Sequence, residues 1–261
     1  MASIQTERPT LLIDGDAILY RSCCAAEKEV HWDDENHVLW SNWKDALELC
    51  ENQINNLVSL HGAAKAYLCF TDRVNFRKTI DPTYKSNRKA TRRPLCMTEV
   101  NEKLRLQWPI LELPTLEADD VMGIFATAPG NQAIICSADK DMRTIPGRVW
   151  NGKELLTISQ AEADYYHLYQ TLVGDTADGY AGCPGVGPVK AAKVLAKAFP
   201  SEGEPDMALA WKLVVKAYED AGLVAEDALR TARLARILRF GEFSKRSGEV
   251  KIWEAPDVYE G

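Results

Sequence analysis

Leu11-Leu12-Ile13-Asp14, Ala66-Tyr67-Leu68-Cys69-Phe70 two residues before Asp72, and Ala133-Ile134-Ile135-Cys136 leading into Asp139 and Asp141 share one pattern. Each is a short, continuous apolar run without the alternation of a half-buried strand. Such runs, separated by helical stretches, are the signature of parallel strands buried on both faces within βαβ units. In open parallel sheets the ligand site lies beyond the carboxyl ends of the strands. Here each of those ends carries aspartate, so the strand pattern alone predicts an α/β core with a cation-binding edge.

Between these runs, residues 44–60 place Leu47, Ile54, Leu57 and Val58 at helical spacing. Residues 117–127 form a second expected helix, with Val121, Ile124 and Phe125 inward. The polar segment 27–42, with Asp33-Asp34-Glu35-Asn36 at its centre, reads as a hairpin. Strand signals fade after about residue 155. Residues 160–173, 188–198 and most of 206–240 are expected to be helical, with a polar loop from Pro200 to Pro205. The division is therefore an α/β core over 1–155 and a helical part over 156–261. The sequence contains no internal repeat.

The composition excludes several classes. Apolar residues make up 46% of 261, enough for a sizeable core. No run is long enough to span a bilayer, and the N-terminus lacks the features of a secretory signal. Seven cysteines occur without a CxxC pair, which argues for reduced thiols in a cytoplasm and against a zinc cage or disulfide frame. The four histidines stand apart from the acidic clusters, and no GxSxG elbow or Walker loop is present.

Chemistry concentrates in five constellations. Glu117, Asp119 and Asp120 fall within four residues at a helix start. The helix dipole would favour one or two acids there, but three repel one another unless a cation compensates. Glu117 and Asp120, three apart, share a helical face. Asp139 and Asp141 alternate after the third strand, where a solvated turn is the competing explanation. Asp175 and Asp178 lie in a glycine-bounded turn. With Asp14 and Asp72 these make nine carboxylates from five segments, hard oxygen donors suited to Mg²⁺ or Mn²⁺. The fourth constellation is basic: Arg73, Arg77, Lys78, Lys85, Arg88, Lys89, Arg92 and Arg93 against the single acid Asp81, with Phe76 and Tyr84 interleaved. This is a pattern for phosphates and stacked bases, though a basic run is often only a solvated face. The fifth is Gly185-Val186-Gly187-Pro188, opening a helix that carries Lys190 and Lys193. Backbone N–H groups at such a start form a phosphate site.

A formal charge of −7 seems to oppose a nucleic-acid partner. Setting the nine candidate ligands apart leaves 29 of the 38 acids against 31 bases. The excess negative charge is thereby confined to a site that a metal would neutralise.

Together, LLIDGDAILYR (11–21), FTDRVNFR and YKSNR (70–88), LEADDVMG (116–123), SADKDM (137–142) and GDTADGYAGCPGVGPVKAAKVL (174–195) resemble, in order, the 5′-nuclease or flap endonuclease family. That family includes phage 5′–3′ exonucleases and the 5′-nuclease domain of bacterial DNA polymerase I. The resemblance implies a PIN-like core, a helical arch over about 78–112, and a helix–three-turn–helix element over about 170–198. It implies two-metal hydrolysis of DNA bearing a 5′ end, flap or branch, with Mg²⁺ or substituting Mn²⁺ held by the nine acids. Lys85, Arg77 and Arg88 would act on the scissile phosphate or threaded strand. Tyr84, Lys89, Arg92, Arg93, Gly185, Gly187, Lys190 and Lys193 would bind DNA, with K⁺ at the Gly185–Gly187 hairpin. RNA–DNA hybrid is a further implied substrate and replication proteins are implied partners. The implied location is the cytoplasm of a bacterial or phage-infected cell.

Three features depart from the family pattern: the extra acid Asp16, a short Asp72–Phe76 spacing, and a compact 89–112 region. No polymerase segment follows, so the sequence reads as a free-standing nuclease. Two rivals remain. A PIN-type ribonuclease would lack the Gly-x-Gly anchor and the basic segment. A non-catalytic branched-DNA-binding module would gain nothing from nine mutually repelling acids.

Overall fold

The computed structural model describes residues 8–31, 37–90 and 92–257, and the side chains of all of these except Lys89 and Ala90. The expected turn at Asp33–Asn36 and the side chain of Lys89 lie outside the described residues.

The chain runs β1 (Thr10–Asp14), α1 (Gly15–Ala25), β2 (Glu27–His31), β3 (His37–Ser41), α2 (Trp43–His61), β4 (Lys65–Cys69) and α3 (Arg77–Ile80). A 3₁₀ helix at Ser86–Ala90, α4 (Met97–Gln107), β5 (Ile110–Leu111), α5 (Ala118–Ala126) and β6 (Ala133–Cys136) follow. A second 3₁₀ helix at Lys140–Thr144 leads to β7 (Gly147–Trp150), β8 (Leu155–Ile158) and α6 (Gln160–Val173). The remainder is β9 (Gly174–Asp175), β10 (Tyr180–Ala181), α7 (Pro188–Leu195), α8 (Met207–Asp220), α9 (Ala225–Ala235), β11 (Phe243–Ser244) and β12 (Glu249–Val250).

The central sheet has the order β5-β4-β1-β6-β7-β8, parallel except for β8. The chain first builds from β1 toward β5, then crosses to β6 on the other side of β1. That reversal opens a crevice between the carboxyl ends of β1 and β6. Alternation along β1 feeds both sheet faces. Leu11 and Ile13 pack with α1, α2 and α4, whereas Leu12 packs with α5 and Ile135. These strands must be apolar throughout because helices cover them on both sides.

A separate apolar cluster joins α6, α7, α8 and α9, with Leu168, Leu172, Trp211 and Tyr218 at its centre. The expected division at residue 155 is not a clean cut. Ile237 and Leu238 return to the face of the sheet covered by α5. The return is close: a Cβ on Gly123 would meet the Leu238 carbonyl at 2.3 Å.

The arch region also differs from expectation. Val100 and Leu104 of α4 are buried against α1 and α2, so α4 is a core helix. Among the described residues of the basic segment, Tyr84 to Arg88 reach the acids. That segment is clipped down: Lys85 N donates to Asp178 O at 2.8 Å, and Asn87 Nδ2 donates to Thr176 O at 3.0 Å.

Candidate active site

The sheet topology delivers Asp14 and Asp139 to the crevice from β1 and from the turn after β6. Asp14 ends β1 and caps α1, accepting from Ala17 N, while its other oxygen accepts from Ser137 Oγ, both at 2.9 Å. Asp139 caps the second 3₁₀ helix through Asp141 N at 2.9 Å. Asp119, on the first turn of α5, has no side-chain hydrogen bond among the described residues. Burial pushes the Asp14 carboxyl above its usual range despite the bonds from Ala17 and Ser137, and the Asp139 charge adds to the rise. Burial and the Asp14 charge push Asp119 well above that range. Lys85 opposes the rise at Asp119 and Arg21 that at Asp14, but burial outweighs both.

A second group is already compensated. Lys85 Nζ lies 2.5 Å from Glu117 Oε1 and 3.4 Å from Asp178 Oδ2, and Arg88 Nη2 lies 2.5 Å from Asp178 Oδ1. Burial alone would raise the Glu117 carboxyl, but Lys85 and Arg77 overcome it and hold it at about 2. A third group centres on Lys140, whose ammonium bridges Asp141 and Asp175. Asp175 is aimed by its neighbours: Gly174 has φ +75°, and a Cβ there would strike Gly182 N at 2.2 Å. Two glycines thus let β9 and its partner approach closely enough to hold the Asp175–Asp178 turn.

Glu117, Asp119, Asp141 and Asp178 line one cavity of about 10 Å³, together with Arg77, Tyr84 and Tyr180. Its volume is about that needed to hold one water molecule. Among the described residues, no three acid, histidine or cysteine side chains are already closed around one ion. The donor chemistry nonetheless fits a hard divalent cation: the candidates are carboxylates, some oversupplied with negative charge and some bridged by an ammonium.

Several expected roles are corrected by this geometry. Asp120 is fully buried, and both its oxygens are taken by Arg77, at 2.6 and 2.8 Å, with Leu238 N at 3.1 Å. Arg77, 2% exposed, also donates to Glu117 and to the Leu234 and Arg236 carbonyls, so its guanidinium is committed to protein partners at the edge of the cavity and not to a phosphate. Asp72 uses one oxygen on Arg73 N and the other on Thr115 N, bracing a residue with φ +64°. It lines a different cavity of about 440 Å³ with Arg105 and Glu112. Tyr84 is 2% exposed, its hydroxyl shared between Glu117 and Asp178 at 3.0 Å, and cannot present its ring to a base. Arg92 is paired with Glu27, away from the acids.

Arg93, Gly185, Gly187, Lys190 and Lys193 are exposed. No side chain caps α7, and added Cβ atoms at Gly185 and Gly187 would meet nothing within 4 Å. The approach to that helix start is open. Asp16 accepts from Thr71 N at 2.9 Å, and burial raises its carboxyl to about 6. Its role is to tie α1 to the segment after β4. Two residues that sequence reasoning missed, Lys140 and Gln170, touch Asp141 directly. Lys140 lay in view between two aspartates, while Gln170 is one polar residue in a long helix and carries no local signal.

Residues 9–165 match the family model described as 5′–3′ exonuclease, N-terminal resolvase-like domain. The chain is 32% identical to an exodeoxyribonuclease of Enterobacteria phage T3, covering 95% of this chain and 93% of that protein. It is also 32% identical to an exonuclease of Escherichia phage T7, covering 95% of this chain and 94% of that one. Its fold is similar to that of the T5 D15 protein co-crystallised with metal ions, with a TM-score of 0.62 at 15% identity over 87% of this chain and 89% of that one. In architecture and in sequence, the chain belongs to the 5′–3′ exonuclease family.

Proposed function

We propose that this family member hydrolyses DNA phosphodiester bonds from a 5′ end, flap or branch, using two divalent cations, with Mg²⁺ as the resident ion and Mn²⁺ as a substitute. The observation that carries the reading is the single cavity where Glu117, Asp119, Asp141 and Asp178 meet beneath the clipped basic segment. Asp14, Glu117, Asp119, Asp139, Asp141, Asp175 and Asp178 are the residues that would hold the ions. When bound, the ions supply an activated water and Lewis acidity at the phosphate.

The chain's own groups do the rest. Lys85, already among the acids, offsets charge that builds on the phosphate. Arg88, half exposed beside Asp178, meets the strand at the cleft mouth. The open start of α7 offers backbone N–H groups to a duplex phosphate, with Lys190 and Lys193 adding charge and K⁺ at the Gly185–Gly187 turn. Unpairing the terminal nucleotides costs a few kcal/mol, which these duplex contacts offset. RNA–DNA hybrid and replication proteins belong to the same reading as further substrate and partners. The T5 D15 structure with DNA and metal ions, similar in fold at a TM-score of 0.59, lends it support.

The test is digestion of 5′-flapped DNA, blunt duplex and single-stranded RNA, each with Mg²⁺ or with EDTA. The proposal expects Mg²⁺-dependent loss of both DNA substrates. Faster cleavage of the RNA would favour a ribonuclease, and binding without cleavage would leave a DNA-binding module. The described residues include no helix long and apolar enough to cross a membrane.

A further inference from the structure

Lys140 stands between two acids from different segments. Its ammonium lies 2.7 Å from Asp141 Oδ1, on the same 3₁₀ helix, and 2.5 Å from Asp175 Oδ2, on β9. The Lys140 side chain is 61% exposed, whereas that of Asp175 is 6% exposed. The lysine therefore reaches the pair from solvent and can withdraw without unpacking anything.

The same Asp141 oxygen is also reached by Gln170 of α6, only 4% exposed. Its Nε2 donates to Asp141 Oδ1 at 2.5 Å, and its Oε1 is buried with no hydrogen-bond partner among the described residues. A buried acceptor without a donor is costly, and one placed beside an acid pair needs an explanation. An amide that donates through one end while its oxygen goes unused is suited to turning over. With a cation at Asp141 the donor is no longer required, and the oxygen becomes the useful end.

We propose that Lys140 is a built-in competitor for the cation held by Asp141 and Asp175, and that Gln170 supplies the neutral oxygen of that site. In the ion-free protein the ammonium occupies the position and keeps the two carboxylates together. It brings one positive charge against two negative ones. A divalent ion completes the neutralisation, releases Lys140 to solvent, and draws Gln170 Oε1 toward itself, directly or through a bound water. The inference rests on the two-cation reading above.

The experiment is a Mn²⁺ titration of the full chain without DNA, counting ions by electron paramagnetic resonance and following the melting temperature. Wild type is expected to bind two ions, the second more weakly. K140M is expected to bind that second ion about tenfold tighter. Ion-free K140M is expected to melt lower than wild type, because Asp141 and Asp175 then repel, and to gain more on adding Mn²⁺. Q170L is expected to weaken the second ion about tenfold. If Q170L does not fold, Q170E keeps an oxygen in place and is expected to bind the second ion at least as tightly as wild type.

Two ions bound to K140M with wild-type constants overturn the competitor role. A folded Q170L with wild-type affinity, or a Q170E that loses the second ion, removes Gln170 from the site. Fewer than two ions in both wild type and K140M would overturn the two-cation reading itself, and this inference with it.

Discussion

Arg77 and Asp120 form a two-pronged ion pair sealed from solvent, with Nη1–Oδ2 at 2.6 Å and Nη2–Oδ1 at 2.8 Å. The pair joins three parts of the chain, because Arg77 also holds the Leu234 and Arg236 carbonyls and Asp120 holds Leu238 N. The acid beside Asp119 therefore serves the fold. Removing one partner leaves a buried charge unanswered, which typically costs about 3–5 kcal/mol. D120A is expected to lose stability on that scale in a urea titration, while its folded fraction binds as many Mn²⁺ ions as wild type. Loss of an ion at unchanged stability would return Asp120 to the metal site.

Asp119 should behave in the opposite way. It faces Asp14 and Asp139 with no hydrogen bond from its side chain among the described residues, so its charge strains the ion-free protein. D119N is expected to leave stability unchanged or raise it by about 1 kcal/mol. Nuclease turnover in Mg²⁺ should drop by at least about 100-fold. Thermal melts and single-turnover rates on the same preparation check both halves.

The proposed duplex anchor is electrostatic. Lys190 and Lys193 are exposed on α7 beside the open Gly185–Gly187 turn. The double variant K190E/K193E is expected to weaken binding of all duplex sequences alike. It should also reduce the slope of log affinity against log salt by about 2. Fluorescence anisotropy across a salt series measures both, and an unchanged slope would place the duplex elsewhere.

How much of this could be read from the sequence depended on how local the cause was. The β1, β4 and β6 runs were legible because strands covered on both faces must be apolar throughout. The shared face of Glu117 and Asp120 was legible too, and both do meet one cation. That cation is the Arg77 guanidinium, whose Nη1 reaches Glu117 Oε2 and Asp120 Oδ2. Spacing fixed the geometry but could not say which positive charge would arrive. Tyr84 misled for a similar reason: interleaving with basic residues suggested a stacking surface, yet it packs with Tyr180 and Leu234 in a small cluster of its own. The arch expectation failed at α4 because Val100 and Leu104 find room against α1 and α2, a tertiary fact with no signature in the segment itself.

His167 gives the fold a pH limit independent of the metal site. Burial, reinforced by Arg236 and Arg239, depresses its imidazole from 6.5 to about 3, and its Nε2 bonds the Ala232 carbonyl. The unfolded chain therefore binds this proton first. The stabilisation is complete above pH 6.5 and is lost as pH falls toward 3. Chemical denaturation from pH 7 to pH 4 should show stability falling by a few kcal/mol, and H167Q should flatten that fall. A parallel decline in H167Q would assign the dependence to other groups.

Cleavage of DNA from its 5′ end at the shared carboxylate cavity, with divalent cations, is checked by mapping the products of a 5′-end-labelled flap substrate, with wild type and D119N side by side in Mg²⁺ and in EDTA. Wild type in Mg²⁺ is expected to release short labelled products ending in a 3′-hydroxyl and to leave a 5′-phosphate on the unlabelled downstream strand, with intact substrate in the other three reactions. Cleavage that persists in EDTA, proceeds unchanged in D119N, or starts from the 3′ end would contradict that reading.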